Sequence, residues 1–331
     1  MRGLVTVFGG SGFIGSQVVR ALARQGWRVR AAARRPWQAY KLRVLGDVGQ
    51  IEIVQANVRT PETVEQALEG AEAVVYTVGA AFQSGRQTFA ALRAQGPAIV
   101  AETAARLGVT RLALISGLGA SVDSPSKLAR ATAEGEAAMR AAFPGATILR
   151  PSVVFGPGDA LFDKIARMAT MMPVIAPVFH GKTRFQPVFV ADVARAVAAA
   201  LADPAAAGRT YELGGPSVYT MRELTELTLA EIGRPRTLLE IPGPLAFLIG
   251  LGGDWIALWH AILPLVMPPP ITSDQLALLS VDNVVTPGAA GLTELGIEPT
   301  ALEPIIPTYL YPYREGGQYA DLNPPPAPAH A

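Results

Sequence analysis

The 331-residue sequence contains no cysteine and only three histidines, His180, His260 and His330. The absence of cysteine excludes disulfides, thiol catalysis and thiolate metal sites. The three histidines are far apart and show no ligand spacing, so no metal site is predicted. Charge is scarce as well, because charged residues make up 17% of the chain and the formal net charge is +1. Such a balance gives no general affinity for polyanions, and no nucleic-acid partner is expected.

Hydrophobic residues, by contrast, make up 50% of the chain, which is enough to bury a large core. The sequence begins almost directly on an apolar strand, with no stretch that resembles a signal or transit peptide. From this beginning we expect a cytoplasmic bacterial protein.

The N-terminal stretch 5–15 runs from an apolar strand through a glycine-rich turn into a helix. Its glycines, Gly9, Gly12 and Gly15, are spaced G-x-x-G-x-x-G. Glycine allows a tight turn and a close approach to a pyrophosphate, and the helix N-terminus supplies amide donors and a dipole. A second apolar strand follows, as a βαβ unit requires. The stretch therefore predicts a nucleotide site, the alternative being a turn without a ligand.

Strand and helix signals alternate through the first half of the chain. Short apolar runs predict strands near 4–8, 27–33, 51–55, 73–78, 112–116 and 146–150, and helical patterns lie near 13–25, 61–69, 88–107 and 126–142. This alternation predicts a Rossmann-type doubly wound parallel sheet, followed by a smaller and mostly helical C-terminal domain. We assign 1–155 to the nucleotide-binding domain with 183–205 returning to it, 156–182 and 206–312 to the smaller domain, and 313–331 to an extended tail.

The end of the second predicted strand reads Ala33-Arg34-Arg35-Pro36. An acidic residue at this position would hold the free 2′-hydroxyl of NAD(H), whereas arginine accommodates a 2′-phosphate. Two guanidiniums can make bidentate contacts with that dianionic group. We therefore predict that Arg34 and Arg35 select NADPH (NADP), the alternative being a solvated basic turn.

The stretch 244–267 is the most apolar of the chain. Because Gly252, Gly253 and Asp254 interrupt it, we do not expect a membrane span. A buried helical lid is the favoured interpretation. The alternative is a surface that lies on a bilayer or on an apolar partner, with Trp255 and Trp259 on one helical face.

Several motifs together resemble an atypical or extended short-chain dehydrogenase/reductase over residues 1 to about 200. They are the glycine triad, Asn57-Val58, Thr77-Val78-Gly79, Ser116 and Arg150-Pro151-Ser152. The resemblance implies that Asn57-Val58 lies against the adenine, Val78-Gly79 near a ribose and Pro151 against the nicotinamide. It implies these cofactor-binding residues: Gly9, Gly10, Ser11, Gly12, Phe13, Ile14, Gly15, Arg34, Arg35, Asn57, Val58, Thr77, Val78, Gly79, Ser116, Pro151 and Ser152.

Catalytic members of this family use a tyrosine and a lysine four residues later, since the lysine lowers the pKa of the tyrosine. When Glu134-Gly135-Glu136 sets the register, these positions hold Leu128 and Thr132. Leucine cannot transfer a proton. No residue is therefore assigned a catalytic role, and Ser116 and Tyr219 are the first substitutes to consider.

A further set of motifs resembles the short-chain-dehydrogenase-like, NADPH-binding accessory subunits of respiratory complex I (NADH:ubiquinone oxidoreductase). It comprises Gly46-Asp47-Val48-Gly49-Gln50, the stretch 186–193, Asp274-Gln275 and Asp282-Asn283-Val284-Val285. The resemblance implies a nucleotide held as a structural element and a place on the peripheral arm, near the membrane and the quinone-site region. It implies other complex I subunits as partners and lipid contact through 244–267. The location implied is the cytoplasmic face of the bacterial inner membrane, or the mitochondrial matrix side in a eukaryote.

Two other functions remain open at this point. One is a free-standing NADPH-dependent reductase or epimerase that acts on a hydrophobic small molecule between 151–182 and 210–270. The other is a sensor of the NADP redox state. The replaced Tyr/Lys pair argues against the first, and the apolar stretch favours the accessory subunit.

Overall fold

The structure is a computed structural model, and it describes residues 3–172, 174–262 and 269–317. Its strands, in chain order, are β1 (Leu4–Phe8), β2 (Arg28–Ala33), β3 (Ile51–Gln55), β4 (Ala73–Tyr76), β5 (Arg111–Ile115), β6 (Thr147–Pro151), β7 (Val154–Phe155), β8 (Ile175–Val178), β9 (Arg184–Phe185), β10 (Val188–Phe189), β11 (Thr210–Leu213), β12 (Tyr219–Thr220) and β13 (Thr237–Glu240).

The α-helices are α1 (Phe13–Arg24), α2 (Pro61–Leu68), α3 (Gly96–Arg106), α4 (Lys127–Ala142), α5 (Leu161–Met171), α6 (Val190–Ala202), α7 (Met221–Glu231), α8 (Gly243–Ile262), α9 (Ser273–Leu279) and α10 (Pro307–Leu310). Short 3₁₀ segments cover Pro36–Leu45, Pro204–Ala206, Thr293–Leu295 and Tyr311–Tyr313, and a π-helical turn covers Ala90–Gln95.

Seven parallel strands form the main sheet, in the order β3-β2-β1-β4-β5-β6-β11. The direction of strand addition reverses between β1 and β4, where a doubly wound sheet binds its ligand. Every residue of β1 and β4 is buried, which explains why these strands read as unbroken apolar runs. The predicted doubly wound sheet is confirmed.

Each face of this sheet has its own hydrophobic core. On one face α1 and α6 pack together, with Val19, Leu22 and Val197 fully buried. The opposite face is covered by α2, α3 and α4, which bury Val100 and Met139 among others. Because helices cover both faces of the sheet, a ligand can reach it at the carboxyl ends of the strands.

The last strand of the sheet differs from the predicted domain boundary. β11 lies in the stretch assigned to the smaller domain, yet it pairs in parallel with β6 from Thr210 to Leu213. Leu292 and Ile297, from the same stretch, join the core between the sheet and α6. The C-terminal part of the chain therefore returns to the nucleotide-binding layer, because Tyr211 and Leu213 bury their side chains there.

A second core lies beside the sheet and is largely helical. Phe162 and Ala166 of α5 pack with Leu224 of α7 and with Ile306, just before α10. The short parallel pair β8 and β13 lies against these helices.

Within the predicted helix 88–107, the structure has a π-helical turn before α3. Pro97 has no N–H, so it cannot donate to the carbonyl of Arg93 four residues earlier. The amide of Gly96 donates instead to the carbonyl of Ala91, five residues back. Such turns occur often at functional sites.

Helix α8 runs without a break through Gly252, Gly253 and Asp254, so these residues interrupt the apolar run of the sequence but not the helix. A Cβ on Gly253 would lie 1.7 Å from the carbonyl oxygen of Ile271, so glycine here permits close packing rather than ending the helix. By length and composition, α8 is the one helix of the described residues that could cross a membrane. Only 22% of its most apolar window is buried, which contradicts the favoured interpretation as a buried lid. Residues 263–267 of the predicted stretch lie outside the described part.

Candidate functional site

The glycine turn connects β1 to α1 at the carboxyl edge of the sheet. Gly9 has a left-handed backbone, with φ of +82°, and its N–H donates to the carbonyl of Ala32 in β2. The N–H of Gly12 donates to the carbonyl of Gly9. A Cβ on Gly15 would lie 2.1 Å from that same oxygen, so only glycine allows the first turn of α1 to rest on the loop.

The N-terminus of α1 lies at the carboxyl edge of the sheet, in the region above the ends of β1, β2 and β4 that we call the cleft. Its N-cap is Gly12, which has no side chain to bond the amides of the first turn. No acidic residue stands in that turn either. The amides of Phe13 and Ile14, with the loop residues Gly10 and Ser11, are therefore available to an external anion.

Thr77 connects β1 to β4 at the point where the strand order reverses. Its hydroxyl and its amide both donate to the carbonyl of Phe8, at 2.8 and 2.9 Å. Val78 is half-buried and packs against the core beneath α2 and α3, and Gly79 is exposed. The two bonds from Thr77 join the carboxyl ends of β1 and β4.

Arg34 and Arg35 follow β2, and the structure adds Arg59 to them. We call these three residues the arginine cluster. The pKa of Arg34 is lowered by partial burial and then by the charges of Arg35 and Arg59. Among the ion pairs of the described residues, none joins the cluster to a carboxylate. The cluster is therefore a concentration of positive charge suited to a doubly charged anion.

Sequence reasoning missed Arg59, although it follows directly on Asn57-Val58 after the neighbouring strand β3. Its backbone N–H and Nε both donate to Oδ1 of Asn57, at 3.2 and 3.3 Å. Asn57 thus orients the guanidinium of Arg59, and the backbone N–H of Asn57 donates to the hydroxyl of Thr63. The side chain of Val58 lies in the core beneath α2.

Ser116, at the end of β5, is tied to a buried ion pair. Its hydroxyl donates to Glu136 of α4, and Glu136 accepts two further hydrogen bonds from Arg150, at 2.9 and 2.6 Å. This bond with Glu136 raises the pKa of Arg150, which also lies 3.9 Å from Glu212. The network joins β5, α4, β6 and β11, and it engages the Ser116 hydroxyl.

Leu128 and Thr132, predicted at the positions of the short-chain proton relay, both lie in α4. The hydroxyl of Thr132 donates to the carbonyl of Leu128, at 2.7 Å, within α4. The carboxylate of Asp274 in α9 accepts hydrogen bonds from the backbone N–H groups of Lys127 and Leu128. Tyr219, the other substitute considered, donates to Glu303 beside the second core. The edge of α4 is consequently covered by the C-terminal segment.

A cavity of about 930 Å³ lies beyond this edge, between the loop after β4 and helices α8 and α9. Its wall is largely apolar, with Lys127, Asp254 and Asp274 among the polar groups. His180 also lines it and has a left-handed φ of +51°, which is uncommon for a residue other than glycine. The cavity does not include the glycine turn, so it is a separate space next to the cleft.

The residues of the cleft fit an NAD(P) dinucleotide. The glycine turn and α1 would receive the pyrophosphate, and the arginine cluster lies where a 2′-phosphate would lie if the nucleotide carried one. The nicotinamide half would then extend over β4 and β5, towards Ser116, Pro151 and Ser152. Such a group supplies hydride chemistry when bound, and at the two predicted relay positions of α4 the described residues are leucine and threonine.

Comparisons with known proteins agree with this geometry. A family model described as NAD(P)H-binding matches residues 9–154. The chain is 32% identical over 319 residues to the NADH dehydrogenase [ubiquinone] 1 alpha subcomplex subunit 9, mitochondrial, of Arabidopsis thaliana, an alignment that covers 95% of this chain and 79% of the relative. It is 31% identical over 243 residues to the ceramide reductase of Caulobacter vibrioides, covering 73% and 75% of the two chains.

Among solved structures, the fold is similar to that of the Citrobacter sp. triphenylmethane reductase complexed with NADP(H). The TM-score is 0.69 at 19% identity, and the match covers 92% of this chain and 99% of that one. At this identity the likeness shows the fold alone.

Proposed function

The chain belongs to the family of the NADH dehydrogenase [ubiquinone] 1 alpha subcomplex subunit 9 proteins, accessory subunits of respiratory complex I, and we propose that it holds NADP(H) there as a structural element. In this proposal the chain carries out no hydride transfer of its own. The observation that carries it is the combination of an arginine cluster with no carboxylate partner in the described part of the chain and of Leu128 and Thr132 at the predicted relay positions.

The nucleotide would lie along the carboxyl edge of the sheet. The residues that would hold it are Gly9, Gly10, Ser11, Gly12, Phe13, Ile14, Gly15, Arg34, Arg35, Asn57, Val58, Thr77, Val78, Gly79, Ser116, Pro151 and Ser152, joined by Arg59. NADPH is favoured over NADH because a guanidinium cluster without anionic partners gains most from the additional phosphate. Asn57 acts here by orienting Arg59.

The partners in this proposal are other subunits of complex I, with the chain stabilising the peripheral arm near the membrane and the quinone-site region. Exposed apolar side chains of α8 support such a place, since Trp255, Trp259 and Leu258 are each more than half exposed. Contact of α8 with lipid would place the chain on the cytoplasmic face of a bacterial inner membrane. In a eukaryote the corresponding side is the mitochondrial matrix.

A second candidate function is reduction of a hydrophobic molecule. The apolar cavity beside the nicotinamide edge favours it, as does the similarity to a protein named for ceramide reduction. Against it stands the replaced proton relay, since a reductase of the short-chain type needs an acid beside the nicotinamide.

One experiment separates the two functions. The chain is purified from native membranes in mild detergent, its companions are identified by mass spectrometry, and its nucleotide is extracted and weighed. Complex I subunits together with NADP(H) are the expected result. Protein that purifies alone and consumes NADPH when given a long-chain carbonyl compound would favour the reductase instead.

A further inference from the structure

Arg93 lies at the carboxyl edge of the sheet, on the side opposite the arginine cluster. It sits in the π-helical turn before α3, and one terminal nitrogen donates to the carbonyl of Ile115, at the end of β5, across 3.3 Å. The other terminal nitrogen contacts the loop after β4, because a Cβ on Gly79 would fall 2.4 Å from it. The guanidinium thus bridges the ends of β4 and β5.

This guanidinium has few partners within the described part of the chain. Its Nε is buried without a hydrogen-bond partner, and the bond to Ile115 is its single side-chain hydrogen bond there. Burial lowers the pKa of Arg93. The phenol of the adjacent Tyr76 offers no compensating charge, since it donates to the carbonyl of Leu92 and burial raises its pKa. A buried cation without an anion is costly, and functional sites are one setting in which such groups cluster.

The backbone of Arg93 is fixed from two directions. Because Pro97 has no N–H, the carbonyl of Arg93 does not accept an α-helical hydrogen bond from it. That carbonyl of Arg93 packs directly on α4. A Cβ on Gly135 would lie 1.8 Å from the Arg93 oxygen, so only glycine allows the contact. The π-helical turn therefore holds the side chain towards the strand ends, a preorganised placement of the kind that binding sites require.

We propose that Arg93 is a nucleotide-binding residue that donates hydrogen bonds to the oxygens of the nicotinamide ribose and its phosphate. The inference rests on the proposed function, that is, on NADP(H) in this cleft. A dinucleotide crosses a doubly wound sheet where the strand order reverses, here between β1 and β4. Its adenosine half lies over β2, beside the arginine cluster, so its nicotinamide half lies over β4 and β5. Arg93 bridges those two strands.

The test compares two ligands that share the adenosine half. NADPH carries both halves of the dinucleotide, whereas 2′,5′-ADP carries the adenosine with its 2′- and 5′-phosphates but lacks the nicotinamide ribose and the phosphate bound to it. Calorimetry on the full chain, after removal of its nucleotide, is done for the wild type, Arg93→Met and Arg59→Met. Arg93→Met should weaken NADPH binding about 10- to 100-fold, the range for a lost charge-assisted hydrogen bond, and leave 2′,5′-ADP within about twofold. Arg59→Met should weaken both ligands.

The assignment would be overturned if Arg93→Met bound NADPH as the wild type does. It would also be overturned if this variant lost affinity for both ligands equally. If Arg93→Met does not fold, Arg93→Lys replaces it, because lysine keeps the cation but not the planar set of donors. It should lose NADPH affinity selectively, by a smaller factor, and unchanged NADPH binding would again contradict the proposal. Wild-type protein that binds neither ligand would overturn both this inference and the proposed function. A failure of this inference alone is seen only in the variants, while the wild type still binds both ligands.

Discussion

The hydroxyl of Ser152 donates to the side-chain oxygen of Asn283 at 2.7 Å, although the two residues are 131 positions apart in the chain. Asn283 also donates through Nδ2 to the carbonyl of Leu118. The backbone carbonyl of Asn283 accepts a hydrogen bond from the N–H of Gln186. One C-terminal residue therefore joins the loop after β5, the end of β6 and the approach to β10, directly at the nicotinamide end of the cleft.

The first prediction follows from this arrangement. Asn283→Ala removes the bonds of the side chain to Ser152 and to the carbonyl of Leu118, although the Ser152 hydroxyl keeps its bond to the backbone carbonyl of residue 283. Loss of the donor to the Leu118 carbonyl should lower the free energy of unfolding by about 1–3 kcal/mol. Denaturant unfolding measures the change. Ser280→Ala is the matched control, because its exposed hydroxyl bonds the carbonyl of Ala277 in the neighbouring last turn of α9. Equal stability of the two variants would contradict a joining role for Asn283.

The sequence predicts the sheet well because its signals are local. The strands β1 and β4 are apolar throughout, and the glycines at 9, 12 and 15 mark the turn without reference to distant residues. The sequence proposes Asn57-Val58 and Arg34 as candidate site residues for the same reason, as each lies close after a strand. These are features that a single βαβ unit specifies by itself.

What the sequence could not predict depends on contacts between distant segments. The sequence around Ser152 does not indicate that this residue contacts Asn283. Nor does the sequence around Glu136 indicate that its carboxylate accepts hydrogen bonds from both Ser116 and Arg150. β11 was assigned to the smaller domain because the strand it pairs with is about 60 residues earlier. Arg59 was missed because its relation to Arg34 appears only once β2 and β3 are paired.

The second prediction concerns the close contact of α1 with the glycine turn. Gly15→Ala places a methyl group 2.1 Å from the Gly9 carbonyl, and the backbone must shift to admit it. Such overpacking costs about 1–3 kcal/mol, and the shifted turn should no longer hold nucleotide. Gly117→Ala is the control, since no atom lies within 4 Å of the added carbon. The amount of nucleotide per protein, read by absorbance after denaturation, should fall only for Gly15→Ala.

The third prediction is a preference for NADP(H) that depends on the arginine cluster. Arg34→Gln and Arg59→Gln should each weaken NADPH binding by about 10-fold or more and affect NADH little, because only NADPH presents a 2′-phosphate. Higher salt should weaken NADPH binding to the wild type and change these variants less. Arg43→Gln is a suitable control, as Arg43 lies over the ring of Tyr40 instead. Extraction of mainly NAD(H) from the purified protein would refute the preference.

The fourth prediction is that bound NADPH stays reduced when candidate carbonyl substrates are added. Leu128 has no acidic proton, and the hydroxyl of Thr132 is engaged with the carbonyl of Leu128. Stopped-flow absorbance at the NADPH band is the measurement. Rapid bleaching that requires substrate and survives further purification would show that another acid serves. In that case Ser116→Ala tests the hydroxyl beside Glu136, and Tyr219→Phe tests the phenol beside Glu303.

The fifth prediction concerns the exposed side of α8. Leu258 is 55% exposed and Trp259 52%, and burying each against protein or lipid contributes about 1.5–3 kcal/mol. Leu258→Glu or Trp259→Glu should therefore release the chain from the membrane fraction, and the nucleotide should stay bound because the glycine turn belongs to a different part of the fold. Val48→Glu is the matched control, because Val48 is an apolar side chain fully exposed on the main domain. If Trp259→Glu stays in the membrane fraction as Val48→Glu does, α8 is not the attachment surface. If it instead unfolds and loses its nucleotide, α8 contributes to the core, and the contact with the complex lies on another face.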